Sequence, residues 1–197
     1  ARQIGAVNTV VVQADGSLFG SNTDAFGFIE NLKAESSWRA DNGPAVILGA
    51  GGAARAVVAA LIAEGVAEIH IVNRTFERAC TLADAFAGAC QPLPWSDASE
   101  CLRESALLVN TTTLGMTGQP RLNLPLDALP VTAVVSDIVY APLQTDLIHA
   151  AAMRGNPVVD GLGMLLHQAR PGFAAWFGRE PDVTLGLREH ILADLIA

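Results

Sequence analysis

Two stretches of this chain carry residues whose types and spacing suit the binding of a phosphorylated ligand. In the first, Gly49-Ala50-Gly51-Gly52-Ala53-Ala54 follows directly on the apolar run Ala45-Val46-Ile47-Leu48 and opens a helix-forming segment, so the glycines fall where a strand must turn sharply into a helix. A side chain at Gly49 would obstruct that turn, and one at Gly51 would hold the backbone away from a pyrophosphate. Ala54 fills the third position of the G-x-G-x-x-G/A pattern, where a small residue lets helix and strand pack closely. The N–H groups and dipole at the helix start favour an anion. In the second stretch, Val72-Asn73-Arg74-Thr75 closes the next predicted strand, and Arg78 follows on the first turn of a helix. A carboxylate at that strand end would bind a ribose 2′-hydroxyl and repel a 2′-phosphate, whereas Arg74 and Arg78 attract the phosphate through charge-assisted bonds. The expectation is a dinucleotide of the NADP type. The competing reading leaves Arg74 and Arg78 facing solvent, paired with Glu77 or Asp84.

The elements that must position these residues are legible from periodicity and punctuation. Val7 to Val12 and Ser17 to Ser21 flank Asp15-Gly16 as a hairpin, the edge of a sheet, with Asn8 a polar residue in an otherwise buried strand. Asn22 or Thr23 caps a helix from Asp24 to about Leu32, with Phe26, Ile29 and Leu32 facing inward. Residues 36–44 are polar, end in Gly-Pro and read as a linker.

Alternating strand and helix follow: strands at Ala45–Leu48, Glu68–Val72, Gln91–Leu93, Ala106–Asn110, Ala133–Ile138 and Pro157–Val159. The helices between them are Gly52–Glu64, Phe76–Phe86, Asp97–Glu104 and Leu143–Arg154, several stopped by glycine; Leu162–Phe177 comes after the last strand, and Thr184 caps a final helix, Leu185–Ile196. Residues 117–130, rich in Pro and Gly, read as a loop. The fold expected is α/β: a Rossmann-type, doubly wound, parallel six-stranded sheet of order 3-2-1-4-5-6, preceded by the tail of an N-terminal α/β catalytic domain. The division is 1–35 as that tail, 44–178 as the nucleotide domain and 179–197 as a helix returning toward the catalytic domain. The chain opens at Ala1 and enters alternating structure almost at once, so it reads as the C-terminal part of something longer.

Composition narrows the partners. Of 197 residues, 51% are hydrophobic and 16% charged, which suits a buried α/β core, and the net charge of −8 argues against a nucleic acid. Any phosphate site must be local. Cys80, Cys90 and Cys101 form no C-x-x-C pair and are read as small core residues, which fits a cytoplasmic protein without disulfides. No run approaches the roughly 18 apolar residues of a membrane helix. His70, His149, His167 and His190 lack a second ligand at metal spacing, so no metal is expected. Monomer and homodimer both stay open.

Several stretches together resemble the shikimate dehydrogenase family: Ile4-Gly5-Ala6-Val7-Asn8-Thr9, Gly20-Ser21-Asn22-Thr23-Asp24-Ala25-Phe26-Gly27, the Gly49–Ala56 turn, Asn73-Arg74-Thr75, Asn110-Thr111-Thr112-Thr113-Leu114-Gly115-Met116, Asp137-Ile138-Val139-Tyr140-Ala141-Pro142, and Asp160-Gly161-Leu162-Gly163-Met164-Leu165 with Gln168. The resemblance implies NADPH-dependent reduction of 3-dehydroshikimate to shikimate, on the route to chorismate and the aromatic amino acids. It implies Asp24 as one half of a catalytic lysine–aspartate pair, and Asn8, Asp24, Tyr140 and Gln168 as substrate contacts. Gly49, Ala50, Gly51, Gly52, Ala53, Asn73, Arg74, Thr75, Arg78 and Thr111 then hold the cofactor, with Ile138 and Gly161 at its nicotinamide end.

In the residues themselves, Asp24 can serve acid-base chemistry or simply complement a helix dipole. Gly161, Met164, Leu165 and Gln168 share one helix face. The family's lysine and its serine-containing motif lie upstream of this segment. Lys33, the one lysine here, matches neither, so these residues are expected to bind NADPH without turnover. Thr111-Thr112-Thr113 stands where the family more usually has Ala-Thr-Ser. A quinate/shikimate dehydrogenase of broader specificity and a non-catalytic NADPH-binding module are the alternatives.

Overall fold

The computed structural model describes residues 1–2, 4–86 and 88–196. Strands β1 (Thr9–Val12) and β2 (Leu18–Ser21) pair antiparallel as a two-stranded sheet, Thr9 opposite Ser21. A separate sheet holds β3 (Ala45–Leu48), β4 (Ile69–Asn73), β5 (Cys90–Pro94), β6 (Leu107–Asn110), β7 (Val134–Asp137) and β8 (Val158–Val159), all parallel, in the order β5-β4-β3-β6-β7-β8. Renumbered from its own first strand this is 3-2-1-4-5-6, the doubly wound order expected from the sequence. The winding direction reverses between β3 and β6, which opens a crevice beyond their carboxyl ends.

The apolar runs that announced these strands are covered on both sides. Every residue of β3, β6 and β7 is buried. The two-residue period of a strand divides β3 between two cores: Ala45 and Ile47 join one with Leu61, Ile69, Ile71 and Val109, while Val46 and Leu48 join the other with Val72, Leu102 and Leu108. Helix α2 (Gly52–Ala63) contributes Ala54, Ala56 and Leu61 to the first core, each fully buried. Burying Leu61 alone is worth about 2 kcal/mol of transfer free energy. The remaining helices are α1 (Asp24–Glu35), α3 (Phe76–Ala85), α4 (Asp146–Arg154), α5 (Gly161–Phe177) and α6 (Leu185–Ile196).

Helix α1 lies hard against α5. A Cβ on Gly27 would stand 2.6 Å from Gln168 Cβ and 2.7 Å from the Met164 carbonyl oxygen, so the two backbones touch where glycine permits it. Asn31, buried in the same seam, donates from Nδ2 to the Asp160 carbonyl at 2.8 Å. This contact sets the position of Asp24, the first residue of α1, relative to Gln168.

Several sequence expectations need correction. No helix spans residues 97–104. Trp95–Asp97 form a 3-10 turn, and further turns follow through i to i+3 bonds such as Arg103 to Glu100. Ala98 and Leu102 are buried one helical turn apart, which mimicked an amphipathic helix in a segment too short to propagate one. Helix α4 starts at Asp146 rather than Leu143, because Thr145 caps it by accepting from the Ile148 amide.

Helix α1 runs to Glu35 and buries Phe28, not Phe26, beside Ile29 and Leu32; Phe26 lies under the Arg170 guanidinium instead. Its first amide is bonded by Asn22 Oδ1, whereas the Thr23 side chain makes no cap. Asn8 precedes β1 and is exposed, and β1 itself leaves Val10 and Val12 exposed. The predicted linker carries a 3-10 turn at Ala40–Asn42 and packs Trp38 into the core. The three cysteines are half-buried rather than in the core, and burial pushes the Cys101 thiol up to about 11.

Candidate functional site

The glycine turn sits at the carboxyl end of β3, at the reversal point of the sheet. Gly49 adopts φ +110°, and a Cβ there would meet Thr111 Oγ1 at 2.7 Å. Thr111 in turn donates that hydroxyl to the Leu48 carbonyl at 2.6 Å, which clamps the end of β6 to the end of β3. Around Gly51 and Gly52 nothing lies within 4 Å of where a Cβ would be, so the start of α2 is an open cradle of backbone amides.

On the β4 side of this turn, Asn73, Arg74, Thr75 and Arg78 line a cavity of about 320 Å³. Asn73 Nδ2 donates to the Thr75 carbonyl at 2.8 Å and shapes the strand end. Among the described residues neither arginine is in a salt bridge, so the pairing with Glu77 or Asp84 does not form. Besides Thr112 from the motif that follows β6, the cavity takes in residues that sequence reasoning missed: Trp95, Arg121 and Asn123. They come from two segments with no periodic pattern, and a lone arginine in a Pro/Gly-rich loop was the one available signal.

On the other side, beyond β7, a second cavity of about 190 Å³ gathers Asp24, Ala53, Ile138, Tyr140, Gly161 and Gln168. Apart from Ala53, which belongs to the glycine turn, these are residues that the resemblance assigns to catalysis, substrate contact and the reactive end of the cofactor. Met164 and Leu165 complete its wall. Tyr140 is partly exposed at the strand end, with 36% of its surface accessible, and turns one side to the cavity. Asp24 is fixed by Asn8, whose Nδ2 donates to Asp24 Oδ1 at 2.7 Å while its own Oδ1 accepts from the Thr23 amide at 3.0 Å. A larger apolar groove, lined by Asn8, Asp24, Gln168, Phe173 and Trp176 among others, continues from there.

A buried polar clasp joins the two sides from beneath. Asp137 Oδ1 accepts from Asn110 Nδ2 at 2.9 Å and from the Val139 amide at 3.0 Å, and Oδ2 accepts from the Thr145 hydroxyl at 2.7 Å. Asn110 Oδ1 accepts from the Thr112 hydroxyl and amide at 2.7 and 3.0 Å. Burial outweighs those bonds and raises the Asp137 carboxyl to about 6. The clasp thereby ties the loop bearing Thr112 to the strand end bearing Ile138 and Tyr140.

The other titratable groups stand apart. Lys33 bonds Glu64 at 2.8 Å in the last turn of α1, nine residues from Asp24 and so about 13 Å along the helix. His70 pairs with Glu68 at 2.8 Å. Among the described residues no three His, Cys, Asp or Glu side chains are grouped to hold a metal, and no helix is long and apolar enough to cross a membrane.

Comparison with known proteins returns the same family for sequence and fold. The family model described as shikimate/quinate 5-dehydrogenase matches residues 32–116, and that of the shikimate 5′-dehydrogenase C-terminal domain matches residues 161–187. Shikimate dehydrogenase (NADP(+)) of Paramagnetospirillum magneticum is 60% identical over 194 residues, covering 98% of this chain and 70% of that protein. Among solved structures, quinate dehydrogenase from Corynebacterium glutamicum in complex with NAD superposes with a TM-score of 0.90 at 33% identity, covering 98% and 70% of the two chains. Shikimate 5-dehydrogenase from Thermus thermophilus, in complex with NADP(H) and shikimate, gives a TM-score of 0.82 at 41% identity with the same coverage.

Proposed function

The chain belongs to the shikimate dehydrogenase family, and from that premise we propose that it supplies the NADP-binding part and half of the acid-base machinery of an enzyme reducing 3-dehydroshikimate to shikimate. The observation that carries this reading is the second cavity, where Asp24, Tyr140 and Gln168 meet Ile138 and Gly161 at the foot of the glycine turn.

The residues present suit the cofactor. The open cradle at Gly51 and Gly52 takes the diphosphate on the amides of α2, and Arg74 and Arg78 take the 2′-phosphate in a cavity that no carboxylate lines. When bound, the nicotinamide supplies the hydride. Ile138 and Gly161 give that end an apolar wall. Asp24, oriented by Asn8, holds a substrate hydroxyl, and Gln168 and Tyr140 add directional contacts beside it. A ketone accepting hydride needs a proton at its oxygen, which an ammonium paired with Asp24 delivers. Lys33 is committed to Glu64 at the far end of α1, so in this reading the 197 residues bind nucleotide without turnover. Residues 1–35 are the tail of a substrate domain whose last helix, α1, is seated on the nucleotide domain.

A quinate/shikimate dehydrogenase is the second reading, favoured by the 0.90 TM-score against the quinate enzyme. The strand-end Arg74 opposes the NAD-preferring form of it. Assays of the protein at the full length of its relatives separate these readings. Reduction of NADP+ with shikimate, faster than with quinate and absent in the 197 residues alone, is expected. Steady turnover by the 197 residues overturns the need for a second ammonium, and equal use of quinate moves the assignment to the broader enzyme.

A further inference from the structure

We propose that Arg121 is a third guanidinium for the ribose 2′-phosphate, reaching the Arg74–Arg78 cavity from the loop after β6 and sharpening the choice of NADP over NAD. The inference rests on the cofactor reading above and extends it to a residue remote in sequence from the strand-end motif.

Arg121 lines the same 320 Å³ cavity as Arg74 and Arg78. In a chain of net charge −8 with 12 Lys and Arg, three of those cations converge on one cavity whose lining includes no Asp or Glu. Three like charges brought to one cavity repel each other, with the exposed Asp146 beside Arg121 as their only salt-bridge partner among the described residues, and a dianion among them relieves that repulsion.

The backbone on both sides of Arg121 is held. Pro120 accepts from the Gly115 amide at 2.8 Å, Gln119 donates to the Met116 carbonyl at 2.9 Å, and Leu122 and Leu126 are buried at 7% and 6% exposure. The side chain, by contrast, is 80% exposed. Among the described residues its one ion pair runs from Nε to Asp146 Oδ2 at 3.4 Å, and Asp146 is itself 56% exposed. A long pair in open solvent contributes little, whereas a phosphate offers three acceptor oxygens and twice the charge, so the guanidinium gains by exchanging Asp146 for the ligand. The fixed backbone limits the entropy lost in that exchange to the side chain.

The test compares two probes that differ by one group, adenosine 2′,5′-bisphosphate and 5′-AMP, titrated calorimetrically into the 197-residue chain and its Arg121→Gln variant. Because the side chain is exposed, the variant is expected to fold normally, which circular dichroism checks. The expected result is bisphosphate affinity lowered about tenfold in the variant, a change of about 1.4 kcal/mol, with 5′-AMP affinity unchanged. Bisphosphate binding unaltered by the substitution, or both probes weakened equally, overturns the role of Arg121 while leaving the cofactor reading intact. An unmutated chain that binds 5′-AMP as tightly as the bisphosphate sinks the cofactor reading itself, and this inference with it.

Discussion

Asn8 and Asp24, sixteen residues apart, are joined side chain to side chain at 2.7 Å, so that the stretch entering the hairpin and the first turn of α1 form one rigid corner. The Asn8 carboxamide spends both ends there: its oxygen also accepts from the Thr23 amide at 3.0 Å and the Thr9 hydroxyl at 3.0 Å, and Thr9 and Thr23 are both buried. Asn8→Ala leaves those donors without a partner and is expected to lower stability by about 1–2 kcal/mol. Asn8→Asp removes the Nδ2 donor and sets a second carboxylate against Asp24, so it should cost more than Asn8→Ala. Urea unfolding of the two variants checks this; an Asn8→Asp penalty no larger than that of Asn8→Ala contradicts the contact.

The two glycines of the turn separate folding from binding. Gly49 stands at φ +110° with Thr111 Oγ1 2.7 Å from the position a Cβ would take, so Gly49→Ala should destabilise the chain by about 2 kcal/mol or more. Gly51 has φ −94° and open space but caps α2, where alanine is the poorer residue, so Gly51→Ala should cost about 1 kcal/mol, less than Gly49→Ala. On the proposed reading its methyl would intrude on a diphosphate held by the α2 amides, and nucleotide affinity is expected to fall about tenfold. Thermal melts paired with NADPH titration of both variants make the comparison, and a Gly51→Ala variant of undiminished affinity would place the diphosphate elsewhere.

Asp137 gives the stability a pH dependence of known sign. Its folded carboxyl is raised by burial to about 6 from an ordinary 3.8, so the native state holds a proton that the unfolded chain releases between those values. The stability this contributes is full below about pH 3.8 and is lost as pH rises through about 6, a difference of order 3 kcal/mol. Asp137→Asn cannot titrate. Between pH 4 and pH 7.5 the aspartate form should lose about 3 kcal/mol of unfolding free energy relative to the asparagine form as pH rises, so the two unfolding curves change their separation across the range; parallel curves would contradict the assignment.

Much of this was legible in the sequence, for physical reasons that particular residues make plain. Ala45–Leu48 reads as a buried strand because both faces of a parallel sheet are covered, and Gly155 and Gly178 mark the ends of α4 and α5 because both adopt the left-handed conformation there. Glycine spacing and the arginines after β4 pointed to the turn at Gly49–Gly52 and to the cavity beside it that Arg74 and Arg78 line. The segment at 97–104 misled because Ala98 and Leu102 satisfy a helical period without enough length to form a helix. Phe28 displaced Phe26 because α1 is clamped at Gly27 and Asn31, and the rotation of that clamp depends on α5, more than a hundred residues away. Arg121 and Trp95 were illegible for the same reason. A cavity assembled from loops is defined by where they pack, and no local pattern encodes that.

The central claim is that this chain holds a phosphorylated dinucleotide across its glycine turn with the 2′-phosphate on Arg74. Titrating the 197 residues with NADPH and NADH in parallel, with and without Arg74→Asp, tests it most directly. The account predicts NADPH binding tighter than NADH by about tenfold or more, and an Arg74→Asp variant that loses ten- to a hundredfold toward NADPH alone, the worth of a charged hydrogen bond of roughly 1.5–3 kcal/mol. Equal affinities for the two nucleotides in the unmutated chain would contradict it.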